Sequence, residues 1–337
     1  MSTTDVPRSA VPMPTLADVA QAAGVSLKTA SRALNGEKNV AEATRSRVAG
    51  AADVLGFRLN PAASMLKRGI STTAVGMITG DLTNPFYSAL AQGVEREVRG
   101  CGGHLTLASS DEDPQVEREL VDELYARRVR GVVIASTCAS HENLRLLVER
   151  GIAVVFVDRP PVGVDADAFV LDNHGGAFAA TRHLLAAGHR RIAFVGDYGR
   201  LSTHQERRRG YEDALAVDGL EPVVRLGSHD VDSSRDAVLA LLDGPDAPTA
   251  LVAGNNRIAV GAVQAIAERG ARTALVGFDD FELADVLGVT TVSHDPAEMG
   301  RLAARRLLCL DEAPSGERTV VLPTTIVARG SGERAPA

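Results

Sequence analysis

The sequence predicts a small all-α module of residues 15–58, followed by an α/β body of two lobes with parallel sheets over residues 73–330. In the first part, apolar residues repeat only at helical spacing. From residue 72 onward, short apolar runs alternate with helical patterns. Charge divides the chain as well, because residues 1–70 hold nine Lys/Arg against five Asp/Glu, whereas the remainder holds 27 against 38. The pattern therefore indicates a basic module on an acidic body.

Length and composition exclude several classes of protein. With 337 residues, 45% of them hydrophobic and 23% charged, the chain has the composition of a soluble globular protein of about two domains. No run approaches about 18 apolar residues, and Met1–Pro14 lacks an apolar signal region, so we expect a cytoplasmic protein without a membrane span. Cys101, Cys138 and Cys309 show no metal-ligand spacing, and we expect buried thiols.

Three helices are predicted in the first module. Thr15 is a suitable N-cap for the first helix, which we expect to end at Gly24 because glycine accepts a positive φ. Ser26 is positioned to cap a second helix over Leu27–Leu34, and apolar spacing indicates a third within Ala41–Phe57. Two short helices joined by a tight glycine turn are the layout of a helix-turn-helix.

A helix-turn-helix places its second helix in the major groove of DNA, with the first residues of that helix at base edges. The outward positions here are Ser26, Leu27, Lys28, Ser31 and Arg32. Arg32 can pair bidentately with guanine, and Leu27 can contact a thymine methyl group. The alternative is an ordinary helical hairpin in which Lys28 and Arg32 are merely solvated.

Residues 59–72 form the predicted linker between the two parts. Asn60 followed by Pro61 is a helix start signal, and a helix of about two turns extends to Leu66. A helix this short is marginal in water, so we expect it to need a partner to form.

The body alternates apolar runs with helices, which predicts parallel sheets covered on both faces. The runs are Ala74–Ile78, Gly131–Ile134, Ala153–Val157, Ile192–Val195, Ala250–Ala253 and Ala274–Phe278. The polar pairs Asp158-Arg159, Asn255-Asn256 and Asp279-Asp280 follow three of them. Ligands bind beyond such strand ends, so we expect a cleft between two lobes.

We assign about residues 73–168 and 296–323 to lobe one. About residues 169–295 and 324–330 form lobe two. The tails, residues 1–14 and 331–337, are expected to be disordered.

Several short sequence motifs resemble those of the LacI/GalR family of bacterial repressors. They are Thr15–Ser26, Asn60-Pro61, Asn84-Pro85-Phe86, Gly188–Ile192 and Gly277–Asp280, and the likeness extends over residues 15–328. The resemblance implies a homodimer or higher homo-oligomer that binds double-stranded, near-palindromic operator DNA. It also implies a core like that of the periplasmic sugar-binding proteins, which holds a small effector, a carbohydrate by expectation, and needs no cofactor or metal.

The resemblance carries over onto particular residues. In the head it adds Thr15, Thr29 and Asn35 to the DNA contacts. In the linker it implies a helix that folds on the operator, where Leu66 enters the minor groove beside Ala63 and Asn60 begins the helix. In the cleft the implied effector contacts are Phe86, Asp158, Arg207, Asn255, Asp279 and His294.

The chain departs from the family pattern at several positions. Asn256 stands where Asp is usual and His294 where Gln is common, which leaves the ligand class open. Ala41 replaces a Ser or Thr cap, so the third helix should be about 1 kcal/mol weaker at that end.

Three function classes remain at this point. The first is a DNA-binding repressor controlled by a ligand, and the second is a cytoplasmic sugar-binding sensor without a DNA function. The third is an enzyme, against which the sequence offers no Walker A, GxSxG, HExxH or early GxGxxG motif.

Overall fold

The computed structural model describes residues 14–58, 73–308 and 318–336. It divides into two compact units, Met1–Thr72 and Thr73–Ala337. The predicted linker helix, with Asn60, Ala63 and Leu66, lies outside the described residues. Within the described ranges, no helix is both long and apolar enough to cross a membrane.

The head module has the three predicted helices, α1 (Leu16–Ala22), α2 (Leu27–Leu34) and α3 (Glu42–Leu55). Thr15 caps α1 in a capping box with Asp18, and Gly24 has the expected positive φ of 62°. Helix α3 starts without a side-chain cap, as its alanine predicts. Small residues allow these short helices to pack closely. The core consists of Val19, Ala20, Ala23, Ala30, Ala33, Val48 and Ala52.

The body alternates strands with helices along the chain. Its elements are β1 (Ala74–Thr79), α4 (Pro85–Gly100), β2 (His104–Ser109), α5 (Pro114–Ala126), β3 (Gly131–Ile134), α6 (Glu142–Glu149), β4 (Ala153–Asp158), β5 (Asp167–Leu171), α7 (Asn173–Ala186), β6 (Ile192–Val195), α8 (Ser202–Ala216), β7 (Val223–Arg225), α9 (Val231–Leu242), β8 (Ala250–Ala253), α10 (Asn256–Arg269), β9 (Ala274–Phe278), β10 (Thr290–Ser293), α11 (Pro296–Leu308), β11 (Thr319–Leu322) and β12 (Thr325–Val327).

These strands form two sheets of six. The first has the order β11-β5-β4-β3-β1-β2 and is parallel throughout. The second has the order β12-β10-β9-β8-β6-β7, in which only β12 is antiparallel to its neighbour. Strand β5 belongs to the first sheet, so lobe one extends to Leu171 rather than ending at residue 168 as predicted.

The central strands of both sheets are buried on both faces, as their apolar runs predict. One extended apolar cluster packs α4 and α11 on the first sheet and α7 and α8 on the second. Separate clusters cover the opposite faces of the two sheets. The two lobes are thus similar layered units.

The segment 331–336 is not the disordered tail that the sequence predicts. Ser331 is buried, and its hydroxyl donates to the Leu275 carbonyl at 2.5 Å. The Glu333 carboxylate accepts from the Thr290 hydroxyl at 2.8 Å, and the Arg334 carbonyl lies 2.7 Å from His189 Nε2. The segment therefore satisfies polar groups at the end of the second sheet, a tertiary role that composition does not reveal.

The expectation of buried cysteines is also wrong. Cys101 is exposed just after α4, and Cys138 is half-buried. Burial raises the pKa of the Cys138 thiol to about 12, which makes it a poor nucleophile. Cys309 lies outside the described residues.

Helices α4 and α11 approach so closely that glycine is required at their contact. A Cβ at Gly93 would lie 1.9 Å from the Ala297 carbonyl oxygen, and one at Gly300 would lie 2.0 Å from that of Leu90. We expect Gly93→Ala to lower the free energy of unfolding by at least about 1 kcal/mol, measured by urea titration. Gly100→Ala in the same helix is the control, because its Cβ would meet no heavy atom within 4 Å. Equal losses in the two variants would contradict the close-packing argument.

Candidate functional site

Polar side chains from both sheets line a narrow cleft between the lobes. Its cavity measures about 40 Å³. The lining residues are Asp81, Asn84, Phe86, Tyr87, Glu112, Asp158, Arg159, Asp197, Leu201, Thr203, His204, Arg207, His229, Asn255, Arg257 and Asp279. Small-molecule sites usually measure about 300–1,000 Å³, so a sugar enters this cleft only if the lobes separate or side chains move.

The two lobes present equivalent carboxylates at equivalent strands. Strands β4 and β9 occupy the same position in their sheets; β4 ends at Asp158, and Asp279 follows β9. Both aspartates have left-handed backbones, with φ of 66° and 63°. Such a conformation costs a non-glycine residue about 1–3 kcal/mol and persists where the surroundings enforce it. The fold therefore holds two carboxylates at the cleft against local preference.

In lobe one, Arg159 forms the centre of a buried ionic cluster. Its terminal nitrogens donate to both Glu112 carboxylate oxygens, at 2.9 and 2.6 Å, and to the Tyr87 hydroxyl at 3.0 Å. The Tyr87 hydroxyl in turn donates to Asp158 at 3.3 Å. Burial would raise the pKa of Glu112, but Arg159 outweighs it and holds that pKa below its ordinary value. Burial raises the pKa of Asp158, with Arg159 opposing.

In lobe two, Arg207 has the corresponding role. Its nitrogens donate to Asn173 Oδ1 at 2.7 Å, the Gly254 carbonyl at 2.7 Å and both Asp279 oxygens at 3.1 and 3.3 Å. The guanidinium also lies 3.7 Å above the Phe278 ring. Arg207 is only 3% exposed, so its side chain is buried rather than solvated. At most one of its five N–H donors remains for a ligand.

A second carboxylate of lobe two, Asp197, is surrounded by histidines. His229 Nδ1 lies 3.1 Å from Asp197, and its ring stacks on Tyr198 with centroids 4.6 Å apart. The hydrogen bond to Asp197 raises the pKa of His229. Burial, with Arg207 nearby, lowers the pKa of His204 to about 4, so His204 is neutral at pH 7.

Several contacts join the two lobes across the cleft. Arg257 of α10 pairs with Asp81 of lobe one. Asn256 Nδ2 donates to Asn84 Oδ1 at 2.9 Å. Arg200 donates to the Glu112 carbonyl. These contacts join the two lobes and close the cleft.

The structure separates the predicted effector contacts into two groups. Phe86, Asp158, Arg207, Asn255 and Asp279 line the cleft. Asn255 also caps α10 through the Ile258 amide and contacts Asp197 at 3.4 Å.

His294 instead lines an adjoining cavity of about 370 Å³, together with Phe281. Phe86 and Asp279 line both cavities and so separate them. Burial lowers the pKa of His294, and its Nδ1 lies 3.9 Å from Asp279. His294 therefore lies behind Asp279 rather than in the central cavity, and its predicted place among the cleft residues needs that correction.

The predicted DNA-reading residues lie on one side of α2. Ser26, Leu27 and Lys28 are exposed, with Leu27 55% accessible, while Ala30 and Ala33 face the core. Arg32 Nε donates to Glu37 at 2.8 Å.

The other predicted readers make contacts within their own helices. Asn35 Nδ2 donates to the Ser31 carbonyl at 2.7 Å, and the Thr29 and Ser26 hydroxyls lie 2.8 Å apart. Thr15 is engaged with Asp18 in its capping box. Leu27 and Lys28 are thus the most open readers.

Sequence reasoning assigned five of the sixteen cleft residues and missed eleven. The missed residues are Asp81, Asn84, Tyr87, Glu112, Arg159, Asp197, Leu201, Thr203, His204, His229 and Arg257. A signal existed for two of them, because Gly80-Asp81 follows β1 and Gly196-Asp197 follows β6, at equivalent positions of the two sheets. Glu112 carried no such signal, since only the fold brings it to Arg159.

Family models match both parts of the chain. Residues 15–60 match the model for bacterial regulatory proteins of the lacI family. Residues 72–307 match the model for periplasmic binding proteins and the sugar-binding domain of the LacI family.

Individual relatives cover almost the whole chain. It is 31% identical over 329 residues to the HTH-type transcriptional regulator GalR of Escherichia coli, covering 95% of this chain and 96% of that one. A LacI-family regulator structure from Silicibacter pomeroyi superposes with a TM-score of 0.82 at 26% identity, covering 95% of this chain and 100% of that one. A complex of the regulator CelR with cellobiose superposes with a TM-score of 0.68 at 29% identity, covering 94% and 99%.

Proposed function

The chain belongs to the LacI family of bacterial regulatory proteins, and on that premise we propose that it is a repressor whose operator affinity is set by a carbohydrate bound between its lobes. It is a DNA-binding transcriptional regulator rather than an enzyme. The finer proposal is a cytoplasmic homodimer on near-palindromic operator DNA, with effector contacts from Phe86, Asp158, Asn255 and Asp279.

One observation carries the carbohydrate part of the proposal. The cleft brings carboxylate and amide side chains from both lobes to one small cavity. Paired acceptors and donors of this kind suit neighbouring hydroxyl groups. The structure of the regulator CelR, which superposes on this chain, is that of a complex with cellobiose.

Strand β1 offers a physical route from the cleft to the head. Its first residue, Ala74, comes two residues after the linker, and Asp81 just beyond its last residue pairs with Arg257 across the cleft. A ligand that alters the Asp81–Arg257 pair shifts the two lobes relative to each other at the end of β1. Such coupling requires that the ligand bind the two lobe arrangements with unequal affinity.

Selection of binding sites from a random duplex library by the full-length protein, followed by gel-shift titration, tests the proposal. We expect near-palindromic sites, because a two-fold dimer presents two heads. Affinity should fall at least tenfold between 50 and 200 mM salt, roughly the least that several phosphate contacts predict. A protein that shows no site preference and no salt dependence would instead be a sugar sensor without a DNA function.

A further inference from the structure

We propose that the cleft accepts an uncharged, polyhydroxylated effector and rejects sugar phosphates and other anions. The inference rests on the proposed carbohydrate function and narrows its ligand class. It comes from the charges that line the cavity. Those are the carboxylates of Asp81, Glu112, Asp158, Asp197 and Asp279 and the guanidinium groups of Arg159, Arg207 and Arg257.

Each guanidinium that lines the cavity already has a carboxylate partner. Arg159 pairs with both oxygens of Glu112, and Arg207 with both oxygens of Asp279. The third guanidinium, that of Arg257, pairs with Asp81. The first two pairs are deeply buried, and separating such a pair leaves an uncompensated buried charge. A phosphate group therefore meets no guanidinium without a carboxylate partner in the cavity.

Two further carboxylates line the cavity: Asp158 shares Arg159 with Glu112, and Asp197 pairs with a histidine. Asp158 accepts from the Tyr87 hydroxyl, and its nearest guanidinium nitrogen, Arg159 Nε, lies 3.6 Å away. Asp197 accepts from His229 and from the Tyr198 amide. These carboxylates attract hydroxyl hydrogens and repel anions, and the repulsion is stronger in a buried site than in water.

The two histidines that line the cavity do not supply a free positive charge to an anion. His204 is neutral at pH 7, and His229 is held by Asp197. One further guanidinium, that of Arg200, lies near the cleft but does not line the cavity. It is exposed, donates to the Glu112 carbonyl and lies 4.5 Å above the Tyr198 ring. Among the described residues at this cleft, the guanidinium without a carboxylate partner is thus at the rim, outside the cavity.

Isothermal calorimetry with matched pairs of sugars tests the inference on the full-length protein. The pairs are glucose with glucose 6-phosphate, galactose with galactose 1-phosphate and fructose with fructose 1-phosphate, and cellobiose is added as a neutral disaccharide. We expect a neutral sugar to bind and each phosphate ester to bind at least tenfold more weakly than its parent. An ester that binds as tightly as its parent overturns the inference but leaves the carbohydrate function intact. If neither the sugars nor the esters bind, the proposed carbohydrate function fails, and the inference fails with it.

Two variants test whether the pairing of the cavity arginines with carboxylates causes the rejection of phosphate esters. Glu112→Gln releases Arg159 and Asp81→Asn releases Arg257, so each should raise the ratio of ester affinity to parent affinity about tenfold. Asp81→Asn alters a pair that is partly accessible and is therefore less disruptive to folding, so it tests the inference even if Glu112→Gln does not fold. Arg208→Ala is the control, because Arg208 is half-exposed and pairs with Glu212 outside the cavity, and its ratio should equal that of the unaltered protein. Arg200→Ala tests the rim guanidinium separately. An unchanged ratio in both folded charge variants, or ester binding that depends on Arg200, contradicts the matched-charge explanation.

Discussion

Replacing Arg207 with alanine is expected to lower the free energy of unfolding of the body by about 3–5 kcal/mol and to abolish effector binding. The guanidinium is buried and holds Asp279, Asn173 and the Gly254 carbonyl at once. Without it, Asp279 becomes a buried charge with no guanidinium partner. Urea unfolding and calorimetry with a bound sugar measure the two losses.

The neighbouring arginine provides a matched control. Arg208 is half-exposed and pairs with Glu212 one turn along α8, an interaction of about 0.3–0.5 kcal/mol. Arg208→Ala should therefore change stability little and leave effector binding intact. The double variant Arg207→Leu/Asp279→Leu should recover much of the lost stability, because it removes both charges, but not the binding. Equal effects of Arg207→Ala and Arg208→Ala would show that the buried pair is unimportant.

Local signals were sufficient to predict the head module. Thr15 and Ser26 cap their helices as expected, and Leu27–Leu34 is helical over its predicted length. Capping and helix periodicity depend on residues within about four positions, so the sequence contains the information directly. The central strands were predicted for a related reason, since burial on both faces requires continuous apolar runs.

The edge strands and the charge pairs could not be predicted in this way. Strand β2 lies at a sheet edge and is only partly buried, so its residues lack the continuous apolar run that marks a central strand. Glu112 meets Arg159 across 47 residues of sequence, and Ser331 bonds to Leu275 across 56. Such partners are specified by the tertiary fold, and the cleft depends on them more than on the strand-end residues that sequence patterns reveal.

Arg32→Ala is expected to weaken operator binding by about 1–3 kcal/mol per head, roughly 5- to 150-fold, and to relax base preference at one position of each half-site. In the structure Arg32 is bound to Glu37 at 2.8 Å, and both side chains are partly accessible, at 35% and 46%. An accessible ion pair contributes about 0–1 kcal/mol, less than a bidentate contact with guanine. We therefore expect Arg32 to leave Glu37 when the head meets DNA.

Glu37→Gln separates this account from a purely structural role for Arg32. Because it removes the competing carboxylate, it should tighten operator binding by up to about fivefold while the head remains folded. Weaker operator binding in Glu37→Gln would mean that the ion pair positions α2, and Arg32 would then support the reading helix instead of contacting a base.

Lys28→Ala should weaken binding to all duplexes alike and reduce the salt dependence by about one phosphate contact, without changing base preference. Gel shifts at two salt concentrations, with circular dichroism to verify folding, distinguish these outcomes.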